Sequence, residues 1–172
     1  MMLESSSENN DRMIICDHQG REYRLQVNGE EDSYFIAKLL YCNREVGRLQ
    51  CVLSPPDRLM IGDIIIHSDV IHAPPHLGAV LLRLLVKPKP MDYRRRGLGT
   101  HLLKFAIKKA RQRGLKRIYG SLTQEDINNN PNLVKWYKKH GFEILSPSQE
   151  NTENAVFGIS LDLGEKLRFF LT

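Results

Sequence analysis

The chain has 172 residues, 41% of them hydrophobic and 26% charged, with a formal net charge of +5. That composition suits one globular domain with a real core. Its three cysteines, Cys16, Cys42 and Cys51, are odd in number and lack metal-type spacing. No apolar run reaches the length of a membrane-spanning helix. The cysteine usage fits a reducing compartment, so the expected localisation is cytoplasmic. Residues 1–10 are polar and acidic, unlike a secretory signal. They are expected to be a disordered tail, with a single domain over 11–172.

In chain order, residues 12–16 and 22–27 flank the turn signal Asp17-His18-Gln19-Gly20 and predict a small hairpin. After a polar break at 28–32, residues 34–42 and 45–53 predict a second hairpin across Asn43-Arg44, closed by Pro55-Pro56-Asp57. Residues 59–67 predict another strand. The run 79–86 is short and almost wholly aliphatic, and reads as the buried central strand. Leu98, Leu102, Leu103, Ala106, Ile107 and Ala110 then recur at helical spacing, with Lys104, Lys108 and Arg111 on the opposite face and Gly114 as the stop. A strand over 115–122 and a polar loop over 123–129 follow. Residues 130–142 predict a short helix, with Asn130 as N-cap, Pro131 at the first position and Gly141 at the end. Strands over 142–145 and 155–163 complete the sheet of a single α+β domain, with Phe169-Phe170-Leu171 packing back on it.

Between the run 79–86 and the long helix lies Arg94-Arg95-Arg96-Gly97-Leu98-Gly99-Thr100. Glycines at a helix start expose backbone N–H groups, and the helix dipole there favours negative charge. Flanking arginines add cationic donors, so this is an anion-binding turn with a phosphate as its natural guest. It is not a P-loop, since it ends Gly99-Thr100-His101 in place of Gly-Lys-Ser/Thr. It is not a Rossmann fingerprint either, because Leu102 holds the place of the third glycine. The cations concentrate over 87–116 and 135–139, around this turn, which gives the positive charge a local explanation. A nucleic-acid partner is not expected, and the arginines lack the interleaved aromatics that stack bases.

The turn resembles motif A of the GNAT N-acetyltransferase superfamily, with Arg94 in its first place and Gly97 and Gly99 in the glycine places. Residues 130–142 resemble motif B through Asn130, Tyr137, Gly141 and Phe142. The two motifs come in order and at the usual separation. The resemblance implies a GNAT-like mixed, mostly antiparallel, splayed sheet flanked by helices. It implies acetyl-CoA as acyl donor and an amine, on a small molecule or a protein, as acceptor. The site it implies comprises Val86 (or Leu85 or Lys87), Arg94, Arg95, Arg96, Gly97, Leu98, Gly99, Thr100, Asn130 and Tyr137. In the family, a strand N–H at the place of Val86 polarises the thioester carbonyl, and a tyrosine at the place of Tyr137 protonates the departing thiolate. An alternative is a catalytically silent acyl-CoA sensor.

Two departures from the family stand out. The first third carries strand and turn signals in place of the helices that usually cover the acceptor. The connection from Val86 to Arg94 also carries Pro88 and Pro90 and is longer than usual. The general base stays open. The run 79–86 has no Asp or Glu where the family often places one, which leaves His67, Asp69, His72, His76 or water. The histidine spacing matches no common zinc pattern, so no metal is expected.

Overall fold

The computed structural model describes residues 13–29, 33–72, 89–149 and 151–164. The strands are β1 (Met13–Cys16), β2 (Glu22–Asn28), β3 (Tyr34–Tyr41), β4 (Arg44–Ser54), β5 (Arg58–Ile66), β6 (Arg117–Thr123), β7 (Glu143–Leu145) and β8 (Ala155–Asp162). The helices are α1 (Leu98–Gln112), α2 (Gln124–Asn129) and α3 (Leu133–Lys139). One sheet holds the strands in the order β1-β2-β3-β4-β5-β6-β8-β7. Every described pairing between these strands is antiparallel except β5 with β6. This is the mixed, mostly antiparallel sheet the sequence predicts. Among the described residues no helix precedes α1, and residues 13–54 form the two hairpins that the sequence predicts.

Alternation drives one face of the sheet into the core. Phe35, Ala37 and Leu39 on β3, Leu49 and Cys51 on β4, and Leu59 and Ile61 on β5 are buried. Leu98, Leu102, Leu103, Phe105 and Ala106 on α1 are buried in the same core, with Phe35 and Phe105 edge to face at 6.2 Å. The β3–β4 turn is made by Cys42 (φ 48) and Asn43 (φ 56), one residue before the predicted position. Both lie in the left-handed region, as the favoured hairpin turn requires.

The predicted central strand 79–86 lies outside the described residues, and so does the segment Phe169-Phe170-Leu171. The place beside β6 belongs to β5. The chain leaving β5 comes back to its own end, because Tyr93 N–H donates to His67 O at 3.0 Å and Val70 bridges Met91. Among the described strands, β5 is the one whose end meets the segment before the Arg94–Thr100 turn. Its pairing with β6 covers only four positions, Arg58 with Arg117 to Ile61 with Gly120, after which the two strands part.

A bulge in β5 sets what that parting exposes. Cys51 pairs with Ile61 and Gln50 with Asp63, which leaves Gly62 without a partner on β4. Strict alternation would aim Asp63 into the α1 core behind Ile61. The extra residue reverses the phase and puts Asp63 on the face of Gln50 and Arg48.

Two further corrections concern helix ends. The stretch predicted as a loop over 123–129 contains α2, capped by Thr123, whose hydroxyl accepts from Asp126 N–H at 3.2 Å. Asp126 reciprocates by accepting from Thr123 N–H at 2.8 Å, a capping box. Asn130 ends α2 rather than starting the next helix, and Asn132 is the N-cap of α3. Gly114 (φ 67) and Gly141 (φ 88) follow α1 and α3 as predicted.

Candidate functional site

The phosphate turn is set by Gly97, whose φ of 85 lies in the left-handed region and makes it the N-cap of α1. The first bond along the helix runs from His101 N–H to Gly97 O at 3.2 Å, so the N–H groups of Leu98, Gly99 and Thr100 precede the intrahelical ladder. Leu98 is buried, and only its backbone can serve a ligand. At Gly99 the nearest atoms to an added Cβ would be Ile66 Cγ1 and Trp136 Cζ2, both at 3.9 Å. That flank is open. Thr100 Oγ1 accepts from Trp136 Nε1 at 3.2 Å and ties α3 to the start of α1.

The three arginines differ. Arg94 is exposed and forks onto Asp92, Nε to Oδ1 at 3.1 Å and a terminal nitrogen to Oδ2 at 3.0 Å. Those bonds hold the Asp92 carboxyl below its usual pKa. Arg96 turns inward. It donates to Asp92 O at 3.1 Å and to Gln19 Oε1 at 3.3 Å, lies 3.6 Å from Asp17 Oδ2, and stacks over Tyr93 at 5.4 Å. Arg95 (φ 59) is exposed and makes no hydrogen bond or ion pair with another described residue.

Where β5 and β6 part, a cleft is lined by Asp63, Ile64, Gly99, Asp126, Trp136 and Tyr137, among others. Tyr137 is buried, packed edge to face on Trp136 at 4.8 Å and on Phe142 at 5.3 Å. Its hydroxyl makes no hydrogen bond to another described residue. Burial pushes its pKa up strongly, and the nearby Asp126 and Asp63 carboxylates add to the rise. Burial likewise raises the pKa of Asp63, with Asp126 adding, while Arg48 and Ile64 N–H work the other way. Alternate β5 N–H groups beyond Ile61 turn from β4 toward the cleft, where β6 no longer meets them.

The structure thus brings Gly99, Thr100 and Tyr137 together at one end of α1. It does not bring Asn130 there: that residue is exposed, and its Oδ1 accepts from Asn132 N–H at 3.3 Å. Val86 and His76 lie outside the described residues. None of the other base candidates lines the cleft. His67 Nε2 faces Glu45 at 3.6 Å, and Asp69 is exposed. His72 bonds the Tyr93 hydroxyl at 2.5 Å, and burial together with Arg44 and Arg21 lowers its pKa. Sequence reasoning missed Asp63, Asp126 and Trp136. The available signals were an acid inside an aliphatic strand and the Thr-x-x-Asp capping box. Cys51 is a core residue whose thiol burial pushes up to about 12, while Cys16 and Cys42 are exposed.

This architecture is shared by N-acetyltransferases of known structure. The PaiA N-acetyltransferase of Thermoplasma acidophilum, crystallised with coenzyme A, superposes with a TM-score of 0.51 at 10% identity, over 77% of this chain and 62% of that one. The chain therefore spans less than two thirds of that relative. A GNAT-family acetyltransferase of Staphylococcus aureus Mu50 superposes with a TM-score of 0.52 at 12% identity, over 76% and 68%. At such identities the likeness is one of fold. The family model for the acetyltransferase (GNAT) family matches residues 6–142, and the chain belongs to that family. No curated protein matches the sequence. Among the described residues no helix is long and apolar enough to cross a membrane.

Proposed function

We propose that the chain is an N-acetyltransferase that moves the acetyl group of acetyl-CoA to an amine, with Asp63 as general base and Tyr137 as general acid. The observation that supports it is the convergence of an open phosphate turn, a carboxylate of raised pKa and a buried phenol at one cleft. Acetyl-CoA supplies an activated acyl thioester. The residues present fit it. The N–H groups of residues 98–100 and the dipole of α1 suit the diphosphate, Arg95 adds a mobile cation, and the bare flank of Gly99 admits the chain toward Tyr137.

Each protein group then has one task. Asp63 accepts a proton from the ammonium form of the acceptor, a task favoured by a carboxylate pKa above the ordinary one. The freed lone pair makes the new C–N bond, and the nitrogen gives up its second proton to solvent as the adduct collapses to the amide. The β5 N–H groups that turn from β4 toward the cleft polarise the carbonyl, the task that the resemblance gives to Val86. As the C–S bond breaks, Tyr137 gives its hydroxyl proton to the thiolate, and solvent reprotonates the phenolate. The two transfers are ordered by charge. While Asp63 is ionised it opposes a phenolate at Tyr137, and once it holds the acceptor's proton that opposition is gone.

A silent acyl-CoA sensor would be favoured by a cleft without an acid, and β5 carries Asp63. The test is release of free thiol from acetyl-CoA across a panel of small amines and amine-bearing peptides. The proposal expects thiol release that depends on one class of amine. Coenzyme A binding with no thiol release for any amine would overturn it in favour of the sensor.

A further inference from the structure

The turn between β1 and β2 lies against the phosphate turn. It closes on itself through Gly20 N–H to Asp17 O at 3.0 Å and Asp17 N–H to Arg21 O at 2.9 Å. Inside it, the Asp17 carboxylate accepts from Gln19 N–H and Arg21 N–H, both at 2.9 Å, and from the Tyr23 hydroxyl at 2.8 Å. Burial works to raise the Asp17 pKa, but these bonds outweigh it and leave it lowered, so the carboxylate stays charged opposite Arg96. Two further bonds tie the turns together: His18 N–H to Arg96 O at 3.3 Å, and Arg96 to Gln19 Oε1 at 3.3 Å.

This clamp fixes one exposed side chain at the phosphate turn. A Cβ on Gly97 would collide with the imidazole of His18, with Nε2 nearest and Cε1 and Cδ2 at 2.8 and 2.9 Å. The nitrogen-bearing tip of the ring thus rests on the bare flank of Gly97, one residue before the N–H groups that precede the ladder of α1. The ring makes no hydrogen bond or ion pair with another described residue. An imidazole in either tautomer keeps one N–H donor. A donor held by a rigid turn beside an anion site loses little freedom on binding.

We propose that His18 is a binding residue for the acyl donor, hydrogen-bonding its diphosphate from the Gly97 side of the turn. This rests on the acetyl-CoA reading above. The β1–β2 hairpin then does more than extend the sheet: it supplies a wall of the phosphate cradle, with Trp136 on the opposite, Gly99 flank. Arg96 becomes the residue that positions this wall, and Arg95 the arginine left for the ligand.

The test is calorimetric titration of the full chain and of His18→Ala, His18→Phe and His18→Gln with coenzyme A and with pantetheine, which lacks the diphosphate. His18→Phe keeps a ring against Gly97 and removes the donor; His18→Gln keeps a donor. We expect coenzyme A to bind about 5- to 20-fold more weakly to the Ala and Phe variants, the scale of one hydrogen bond, and within about 3-fold of wild type to the Gln variant. Pantetheine affinity should not change. Wild-type affinity for coenzyme A in His18→Phe would overturn the inference, as would an equal loss for pantetheine. A wild-type protein that does not bind coenzyme A would overturn the acyl-donor reading and this inference with it.

Discussion

Replacing Asp63 with Asn should move activity and stability in opposite directions. The amide keeps the shape of the side chain and removes both the charge and the proton-accepting oxygen. A positioned general base contributes about 10²- to 10⁴-fold to turnover, so kcat should fall by that range. The stability effect follows from the raised pKa. A carboxyl whose folded pKa lies above its unfolded value contributes stability below the unfolded pKa, and that contribution is lost as pH rises through the folded value. At neutral pH the wild type therefore carries a half-buried carboxylate opposed by burial and by Asp126, with Arg48 and Ile64 N–H as partial compensation. Asp63→Asn removes that burden, so its Tm should exceed that of the wild type at pH 7 and converge with it near pH 4. The acid limb of the wild-type kcat/KM profile should lie above the range of an ordinary aspartate. Arg48→Gln should move it further up, since Arg48 lowers the Asp63 pKa. The assay is initial-rate thiol release from pH 4 to 9, with melting curves on the same buffers. Undiminished turnover in Asp63→Asn would refute the base assignment. A lower Tm at pH 7 would refute the account of its environment.

Tyr137→Phe should lower turnover by about 10²- to 10⁴-fold with donor affinity nearly unchanged, because the hydroxyl acts on the departing sulfur. Its Tm should stay close to wild type, since the packing on Trp136 and Phe142 is kept and no hydrogen bond to a described residue is lost; a fall in activity that tracks a fall in Tm would make this tyrosine structural. The two glycines should separate. Gly99→Ala meets nothing closer than 3.9 Å and should fold normally while coenzyme A titration shows weakened binding, whereas Gly97→Ala meets His18 at a φ of 85 and should lower the Tm of the unliganded protein. Arg95→Ala should weaken coenzyme A by about 1 to 3 kcal/mol, the scale of a charge-assisted hydrogen bond, at constant Tm, while Arg96→Ala should lower Tm as well by breaking its bonds to Gln19, Asp92 and Asp17.

Much of the fold was legible because its signals are local. The Asp17–Gly20 turn, the second hairpin, the apolar face of α1 and the glycines after α1 and α3 all fall within a residue or two of where pattern and turn chemistry put them. The family membership was legible too, since the phosphate turn and the region around Tyr137 carry it in few residues. The strand beside the cleft was not. Residues 79–86, which lie outside the described residues, are as aliphatic as β5, and hydrophobicity alone does not say which strand lies beside β6. What distinguishes β5 is its pairing with β4 and β6, a long-range property, and the return of Tyr93 to His67 across the intervening chain. Asp63 was hidden by the same logic: alternation places it in the core until the Gly62 bulge reverses its phase. Helix α2 has no buried residue, so no apolar period reveals it. Its only sequence signal is the capping pair Thr123 and Asp126, set in an otherwise polar stretch. Asn130 suits either end of a helix, and only the backbone shows that it ends one.

In the proposed complex the acyl donor lies in the gap between β5 and β6 with its diphosphate at the start of α1. Amide hydrogen exchange with and without saturating coenzyme A tests it most directly. Slowed exchange should concentrate in residues 62–66, 97–101 and 136–137, with the β1–β2 turn at 17–20 sharing in it through His18. Slowed exchange confined to the hollow beside Tyr41, Cys42 and Asn43, or spread without preference over the chain, would contradict the claim.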